Sequence, residues 1–134
     1  MIDRVDIYDY LESQVNLNSR PVAMSSRFEP TPEEFPFCFA NEISRSDVRQ
    51  NVTLNVDQNV KNIGWEVQVF SNKEVGAVEE AFDIMTDVEV AMQEMKFIET
   101  YCHETPWTDR SIYRVVARFE RVIADSDTLP TQGV

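Results

Sequence analysis

This chain has few residues that could act as catalytic groups or metal ligands, and their spacing does not suit either role. Its single histidine, His103, lies between Cys102 and Glu104, and the other cysteine, Cys38, is distant in sequence. Neighbouring residues of a strand point to opposite faces, so Cys102 and His103 would not share one metal ion. A zinc site needs about four ligands. We therefore expect no metal and no cofactor, and we expect both cysteines to be reduced thiols rather than a disulfide.

The sequence also lacks the motifs of common enzyme classes. It contains no G-x-S-x-G, no H-E-x-x-H and no Walker motif. Its three glycines leave little room for a glycine-rich phosphate loop. Its many carboxylates fall on the exterior of a predicted helix rather than in a recognisable cleft. We expect the protein not to be an enzyme; the alternative, an enzyme built on His103, would lose activity but not stability on His103→Ala.

Composition narrows the class of partner. The 134 residues carry a net charge of −12, which repels nucleic acid and argues against a sequence-specific DNA reader. The hydrophobic fraction of 43% is enough for the core of one domain. No apolar run approaches the roughly 20 residues of a membrane span, and the first residues do not form a signal peptide. We expect a single domain over residues 1–124, a flexible tail over 125–134 and no membrane association.

Hydrophobic periodicity predicts the elements. Residues 2–17 form a first helix (α1) and residues 74–95 a second (α2), while strands are predicted at 22–29, 36–43, 62–71, 97–104 and 111–123. In the third strand Ile63, Trp65, Val67 and Val69 share one face. In the last strand the face that packs under the helices is Tyr113, Val115, Ala117, Phe119 and Ile123. The fold class is α+β, a mostly antiparallel sheet of about four to five strands packed with two helices, in the order α1-β-β-β-α2-β-β.

Each predicted helix has an apolar stripe and an acidic side. In α1, Asp3 is the expected N-cap, and the stripe is Val5, Tyr8, Leu11 and Val15. In α2 the stripe is Val78, Phe82, Met85, Met92 and Met95, widened by Val75, Ala77, Ala81 and Val88, and the opposite side gathers Glu79, Glu80, Asp83, Asp87 and Glu94. That acidic side is either a solvated surface or a docking face for arginines of a neighbour.

Residues 44–62 differ from the rest in being rich in Asn, Gln, Ser and Asp. We interpret them as the outer part of a long polar β-hairpin or loop that orders on contact with a partner; the alternative is a mobile surface loop. A segment this long in a small domain is usually functional or disordered.

Several short motifs occur together in the later part of the chain. They are residues 67–73 (VQVFSNK), 95–97 (MKF), 106–114 (PWTDRSIYR) and 117–119 (ARF), preceded by 35–38 (FPFC). In these motifs residues 33–123 resemble the tail terminator proteins of long-tailed bacteriophages, also called tail completion or head-tail joining proteins. Members of that family have a y-S-N-K strand end, an m-G-F helix end and a P-x-x-D-x-s-I-Y-R turn. Lys96 departs from the pattern, because relatives often have glycine there.

The resemblance implies a structural virion protein of the phage neck, assembled in the host cytoplasm. It implies a hexameric ring that caps the completed tail tube, ends its polymerisation and joins the head connector, with DNA passing through the lumen without sequence-specific binding. The implied partners are further copies of the chain, the tail tube protein and the head connector or stopper protein, with the tape measure protein as a further candidate. The alternatives are another head-tail connector completion protein and a small acidic α+β binding or regulatory domain with a ligand pocket.

Two sets of residues are candidates for these contacts. For the tube or neighbouring proteins they are Arg45, Arg49, Gln50, Asn51, Leu54, Asp57 and Lys61. For the ring interface they are Glu79, Asp83, Asp87, Arg114 and Arg118. Closed rings use heterologous interfaces, which need two complementary patches on each subunit.

Overall fold

The computed structural model describes residues 1–16, 21–28, 32–48 and 60–130, and in this part of the chain two helices cover one face of a five-stranded sheet. The elements are α1 (Arg4–Val15), β1 (Ala23–Ser25), β2 (Phe37–Asp47), β3 (Val60–Ser71), α2 (Ala77–Glu94), β4 (Ile98–Glu104) and β5 (Tyr113–Ala124). The spatial order is β1-β2-β3-β5-β4, with β1 parallel to β2 and all other pairs antiparallel. The α+β class and the order of elements are as predicted. Neither helix is long and apolar enough to cross a membrane.

The side of the sheet that faces the helices follows the predicted alternation. Residues Ile63, Trp65, Val67 and Val69 of β3 are buried there, and so are Val115, Ala117, Phe119 and Ile123 of β5. These pair across the two strands, for example Trp65 with Phe119 and Val67 with Ala117. Cross-strand apolar pairs of this kind stabilise a sheet beyond the burial of each side chain.

The other side of the sheet is half covered. Phe37, Phe39 and Phe70 form a second buried cluster, against which Phe35, Trp107 and Ile112 pack. Because Cys38 and Ala40 are buried on the helix side, the first part of β2 is buried on both faces, as its continuous apolar run predicts. Neither described helix covers the far end of this side, beyond Gln68 on β3; we call it the open face.

Helix α1 begins as predicted but buries a different stripe. The Asp3 carboxylate accepts a hydrogen bond from the Val5 backbone N–H at 3.0 Å. The buried residues are Ile7, Tyr10, Leu11 and Val15, whereas Val5 is 56% exposed. The predicted stripe was therefore wrong in its first half. The buried stripe differs because the ring of Tyr10 packs inward, while the Tyr10 hydroxyl donates to Glu94 of α2 at 3.1 Å.

Helix α2 also differs from its prediction, both in its first residue and in the side chains that it buries. It starts at Ala77, after Gly76 in the left-handed region at φ 87°, rather than at residue 74. Ile84 and Ala91 are buried with Met85, Val88 and Met92, while the predicted core residues Val78 and Phe82 are 48% and 40% exposed. The helix rests on the sheet through small Ala81 and Ala91, so Val78 and Phe82 fall on the flank. The methionines fill the core, as expected.

The end of α2 is a left-handed cap without glycine. Lys96 has φ 67°, its N–H donates to the Gln93 carbonyl at 2.9 Å, and the Phe97 N–H donates to the Met92 carbonyl at 2.9 Å. This is the Schellman arrangement, in which the two bonds satisfy carbonyls of the last turn. A side chain at the left-handed position costs about 1 kcal/mol, which buried Phe97 offsets.

Candidate interaction surfaces

The base of the polar segment is a regular antiparallel hairpin. Strands β2 and β3 pair as far as Asp47 with Lys61, and the Val48 N–H donates to the Val60 carbonyl at 3.0 Å. The prediction of hairpin arms at both ends of 44–62 is thus confirmed, and β2 and β3 extend further into it than predicted. The intervening residues 49–59 lie outside the described part of the chain, and with them the candidates Arg49, Gln50, Asn51, Leu54 and Asp57.

The two described candidates of this segment are already ion-paired within the hairpin. Arg45 donates to Glu42 at 2.9 Å, and Lys61 donates to Asp47 at 2.8 Å. Lys61 and Asp47 face each other across the strands at the end of the described arms, where both are partly exposed. These pairs hold the hairpin base in register.

The acidic side of α2 divides into exposed and internally bonded residues. Glu80 accepts from the Ser71 hydroxyl at 2.8 Å and from Lys73 at 3.1 Å, and Glu94 accepts from Tyr10. Glu79 and Asp83 are exposed and Asp87 is half-buried. We call Glu79, Asp83 and Asp87 the acidic surface; it belongs to the helix layer of the molecule.

Arg118 lies on the opposite side of the sheet from that surface. Its partner across β3 is Glu66, which accepts from Arg118 Nε at 2.9 Å, and its guanidinium stands 5.7 Å from the ring centroid of Tyr101 on β4. Arg118 and Glu66 thus form an ion pair across the two strands. Arg118 remains 55% exposed, so a partner can reach it. We call Arg118, Glu66 and Tyr101 the arginine surface; it forms part of the open face.

Arg114 shares that side of the sheet but is held by its own chain. It donates to the carbonyls of Thr105 at 3.3 Å and Pro106 at 3.2 Å and to Gln68 Oε1 at 3.3 Å, and it stacks on Trp107 at 4.7 Å. Partial burial lowers the pKa of its guanidinium, opposed by the charge of Glu66. Arg114 therefore anchors the turn between β4 and β5.

His103 is exposed on the open face and has no catalytic setting in the described residues. Its Nδ1 lies 2.6 Å from the Glu104 carbonyl, and its ring stacks on Tyr101 with centroids 6.2 Å apart. Cys102 points to the helix side, opposite Ala117, whereas His103 lies opposite Val116. The expected separation of these two side chains is confirmed.

A cluster that the sequence did not predict lies where α2 crosses β4. Ligand atoms of Glu89, Glu99 and Cys102 all lie within 4.8 Å of one another. Three residues apart on a regular strand, Glu99 and Cys102 would face opposite sides. A bulge at Thr100 brings them to the same side, since Glu99 pairs with Phe119 and Cys102 with Ala117. No feature of the sequence indicates this bulge.

The side chains of this cluster perturb one another. Partial desolvation, a hydrogen bond with Glu89 and the charge of Glu89 raise the pKa of Glu99 to about 7. Desolvation and the charges of both carboxylates raise the pKa of the Cys102 thiol. At neutral pH Glu99 is therefore protonated for part of the time.

A cleft of about 400 Å³ lies between α1 and the sheet. It is lined by Arg4, Val5, Tyr8, Ser26, Ala40, Asn41, Glu42 and Trp65. The Trp65 indole N–H is buried and has no acceptor in the described part of the chain. The volume of the cleft lies within the range of small-molecule sites, and its lining combines apolar side chains with the charged Arg4 and Glu42.

Comparison with known proteins adds no family assignment. No protein-family model matches the chain, and no curated protein matches it significantly.

Proposed function

We propose that this protein is a structural component of a phage neck, of the tail terminator type. It assembles into a ring, hexameric by the resemblance in sequence, that caps the completed tail tube and ends its polymerisation. The same ring joins the tail to the head connector or stopper protein, and DNA passes through its lumen. The tape measure protein is a further candidate partner.

The observation that carries this proposal is the placement of the two charged surfaces. The acidic surface lies on the helix layer and the arginine surface lies on the open face, so they point away from one another. A patch and its complement on opposite sides of one subunit suit head-to-tail contacts, which generate rings when the rotation closes. Two-fold dimers, by contrast, need one self-complementary patch. Arg118 keeps its exposed guanidinium edge for a neighbour's carboxylate while Glu66 orients it.

The charge of the chain supports the role of the lumen. A subunit with net charge −12 repels DNA at long range, and a ring of six such subunits gives a channel wall to which DNA does not adhere. The same charge disfavours association of free subunits, so we propose that the ring forms on the tube as a template. The hairpin that begins at Asp47 and Lys61 is the proposed tube contact.

The first experiment combines light scattering with negative-stain imaging of the purified protein, alone and with uncapped tail tubes. Rings or capped tube ends are expected. The charge reversals Asp83→Arg and Arg118→Glu should each reduce ring formation at least about tenfold, because each places like charges at the contact. The double variant should regain rings, since every interface then has both signs again.

Arg4→Glu on α1 is the matched control, with the same charge change outside both surfaces. It should leave ring formation unchanged. A monomer that ignores tube ends would overturn the proposed function. Rings that resist both reversals would leave the capping role standing and overturn the assignment of the two surfaces.

A small-ligand binding domain is the second candidate, favoured by Trp65, which lines the cleft and whose buried N–H has no acceptor among the described residues. A buried donor without a partner costs about 1–3 kcal/mol, which a ligand oxygen would recover. A small-molecule screen by thermal shift, repeated with Trp65→Phe, tests it. A ligand whose stabilising effect disappears in the variant would support this candidate.

A further inference from the structure

The cluster of Glu89, Glu99 and Cys102 has the composition and spacing of a metal site. Three donor atoms, one sulfur and two carboxylate oxygens, come from two elements and lie within 4.8 Å of one another. Glu89 and Cys102 are half-buried, whereas Glu99 is exposed at the edge of the sheet. The bulge at Thr100 is what turns both β4 donors toward α2.

The charges of this cluster are not balanced by the described part of the chain. The described ion pairs of the molecule involve none of the three residues. Two carboxyl groups and a thiol this close together, without an ion-pair partner in the described part of the chain, suit a bound cation.

The donor set selects among cations. Magnesium and calcium take oxygen ligands only, whereas zinc accepts thiolate and carboxylate together in a tetrahedral arrangement. Bond lengths of about 2.0–2.3 Å place tetrahedral donors roughly 3.4–3.6 Å apart. Because no two donor atoms are more than 4.8 Å apart, no pair has to close by more than about 1.4 Å, a movement within reach of glutamate side chains.

We propose that Glu89, Glu99 and Cys102 bind Zn²⁺, with the fourth position open to water or to a ligand from a neighbouring molecule. This inference does not depend on the proposed role in a phage neck. The ion would join α2 to β4, the edge strand, which hydrogen-bonds to β5 alone. Its function would be to fix that edge of the sheet.

The test is a metal titration of reduced, chelator-treated protein. Co²⁺ is the probe, because a cobalt–thiolate bond gives a charge-transfer absorption that carboxylate or water ligands do not. We expect this band to saturate at one equivalent of Co²⁺ and to disappear when Zn²⁺ is added. Zn²⁺ should also raise the melting temperature.

Three variants assign the ligands. Cys102→Ser should abolish the band, and Glu99→Gln should weaken Co²⁺ binding at least about tenfold. Glu79→Gln, on the exposed side of α2, should bind as the wild type does. Glu99→Gln relieves repulsion in the metal-free protein, so it should be at least as stable as the wild type and its loss of binding cannot be attributed to unfolding.

The proposal fails if excess Co²⁺ gives no thiolate band in the wild type. It also fails if the band persists in Cys102→Ser, because the thiolate would then be Cys38. Binding unaffected by Glu99→Gln would contradict the participation of that carboxylate.

Discussion

At the scale of single residues, Arg114 and Arg118 of β5 have different roles because their surroundings differ. Both were predicted as interface residues, and both point to the same side of the sheet. Arg118 has one carboxylate partner and stays 55% exposed. Arg114 donates to two backbone carbonyls and a glutamine and stacks on Trp107. The sequence motif contains both arginines but does not distinguish these environments, which depend on the turn that follows β4.

This difference predicts unequal costs for the same substitution. Arg114→Lys should reduce the free energy of unfolding by about 1–3 kcal/mol, because lysine cannot reproduce the planar fork or the stacking on Trp107. Arg118→Lys should cost less than about 0.5 kcal/mol, since the exposed ion pair is retained. Urea unfolding of both variants measures the two values. Equal losses would show that the contacts of Arg114 add nothing to stability.

At the scale of elements, strands were easier to predict than helix faces. Alternation with period two leaves only two choices of face, so Ile63, Trp65 and Val67 were assigned correctly. On α2 a shift of one position rotates the stripe by about 100°, and the apolar residues Val78 and Phe82 on the flank drew the predicted stripe away from Ile84. The order of the strands in the sheet could not be predicted from the sequence, because nothing local indicates that β5 lies between β3 and β4.

The phase of α2 can be tested by two truncations. Met85→Ala removes a fully buried side chain and should cost about 2–5 kcal/mol. Phe82→Ala removes a larger side chain that is 40% exposed and contacts Tyr113, so it should cost less than Met85→Ala. Thermal or urea unfolding gives both numbers. A larger loss of stability for Phe82→Ala than for Met85→Ala would instead support the buried stripe predicted from the sequence.

Strand alternation also decides which features of the candidate sites could be predicted from the sequence. The hairpin arms follow from alternation and were predicted. The Glu89–Glu99–Cys102 cluster was not, because one extra residue at Thr100 reverses the face of everything before it. Bulges leave little signature in a sequence that has no glycine at that position.

At the scale of the whole molecule, the fold separates the proposed tube contact from the ring contacts. The acidic and arginine surfaces belong to the body of the sheet and its helices. The described arms of the hairpin, which end at Val48 and Val60 and are held by β2–β3 pairing, belong to neither surface. Under the proposed function, we therefore expect that tube capping and ring closure can be removed independently.

Replacing residues 49–59 by Asn-Gly should abolish tube capping and leave the fold intact. Val48 and Val60 already form a backbone hydrogen bond, so a two-residue turn can join them without changing the register. Circular dichroism and urea unfolding check the fold, and negative-stain imaging with tubes checks capping. Retained capping would place the tube contact elsewhere on the molecule.

The position of β5 also governs how the chain is made. This strand comes last in sequence, yet it pairs along the whole of β3 from Val60 with Ala124 to Ser71 with Tyr113, and it carries β4 on its other side. Until residue 124 has left the ribosome, one edge of β3 is unpaired and α2 lacks part of the sheet against which it packs. The complete sheet can therefore form only after residue 124 has been synthesised. A chain that stopped before residue 118 would lack Arg118 and, under the proposed function, its contact in the ring.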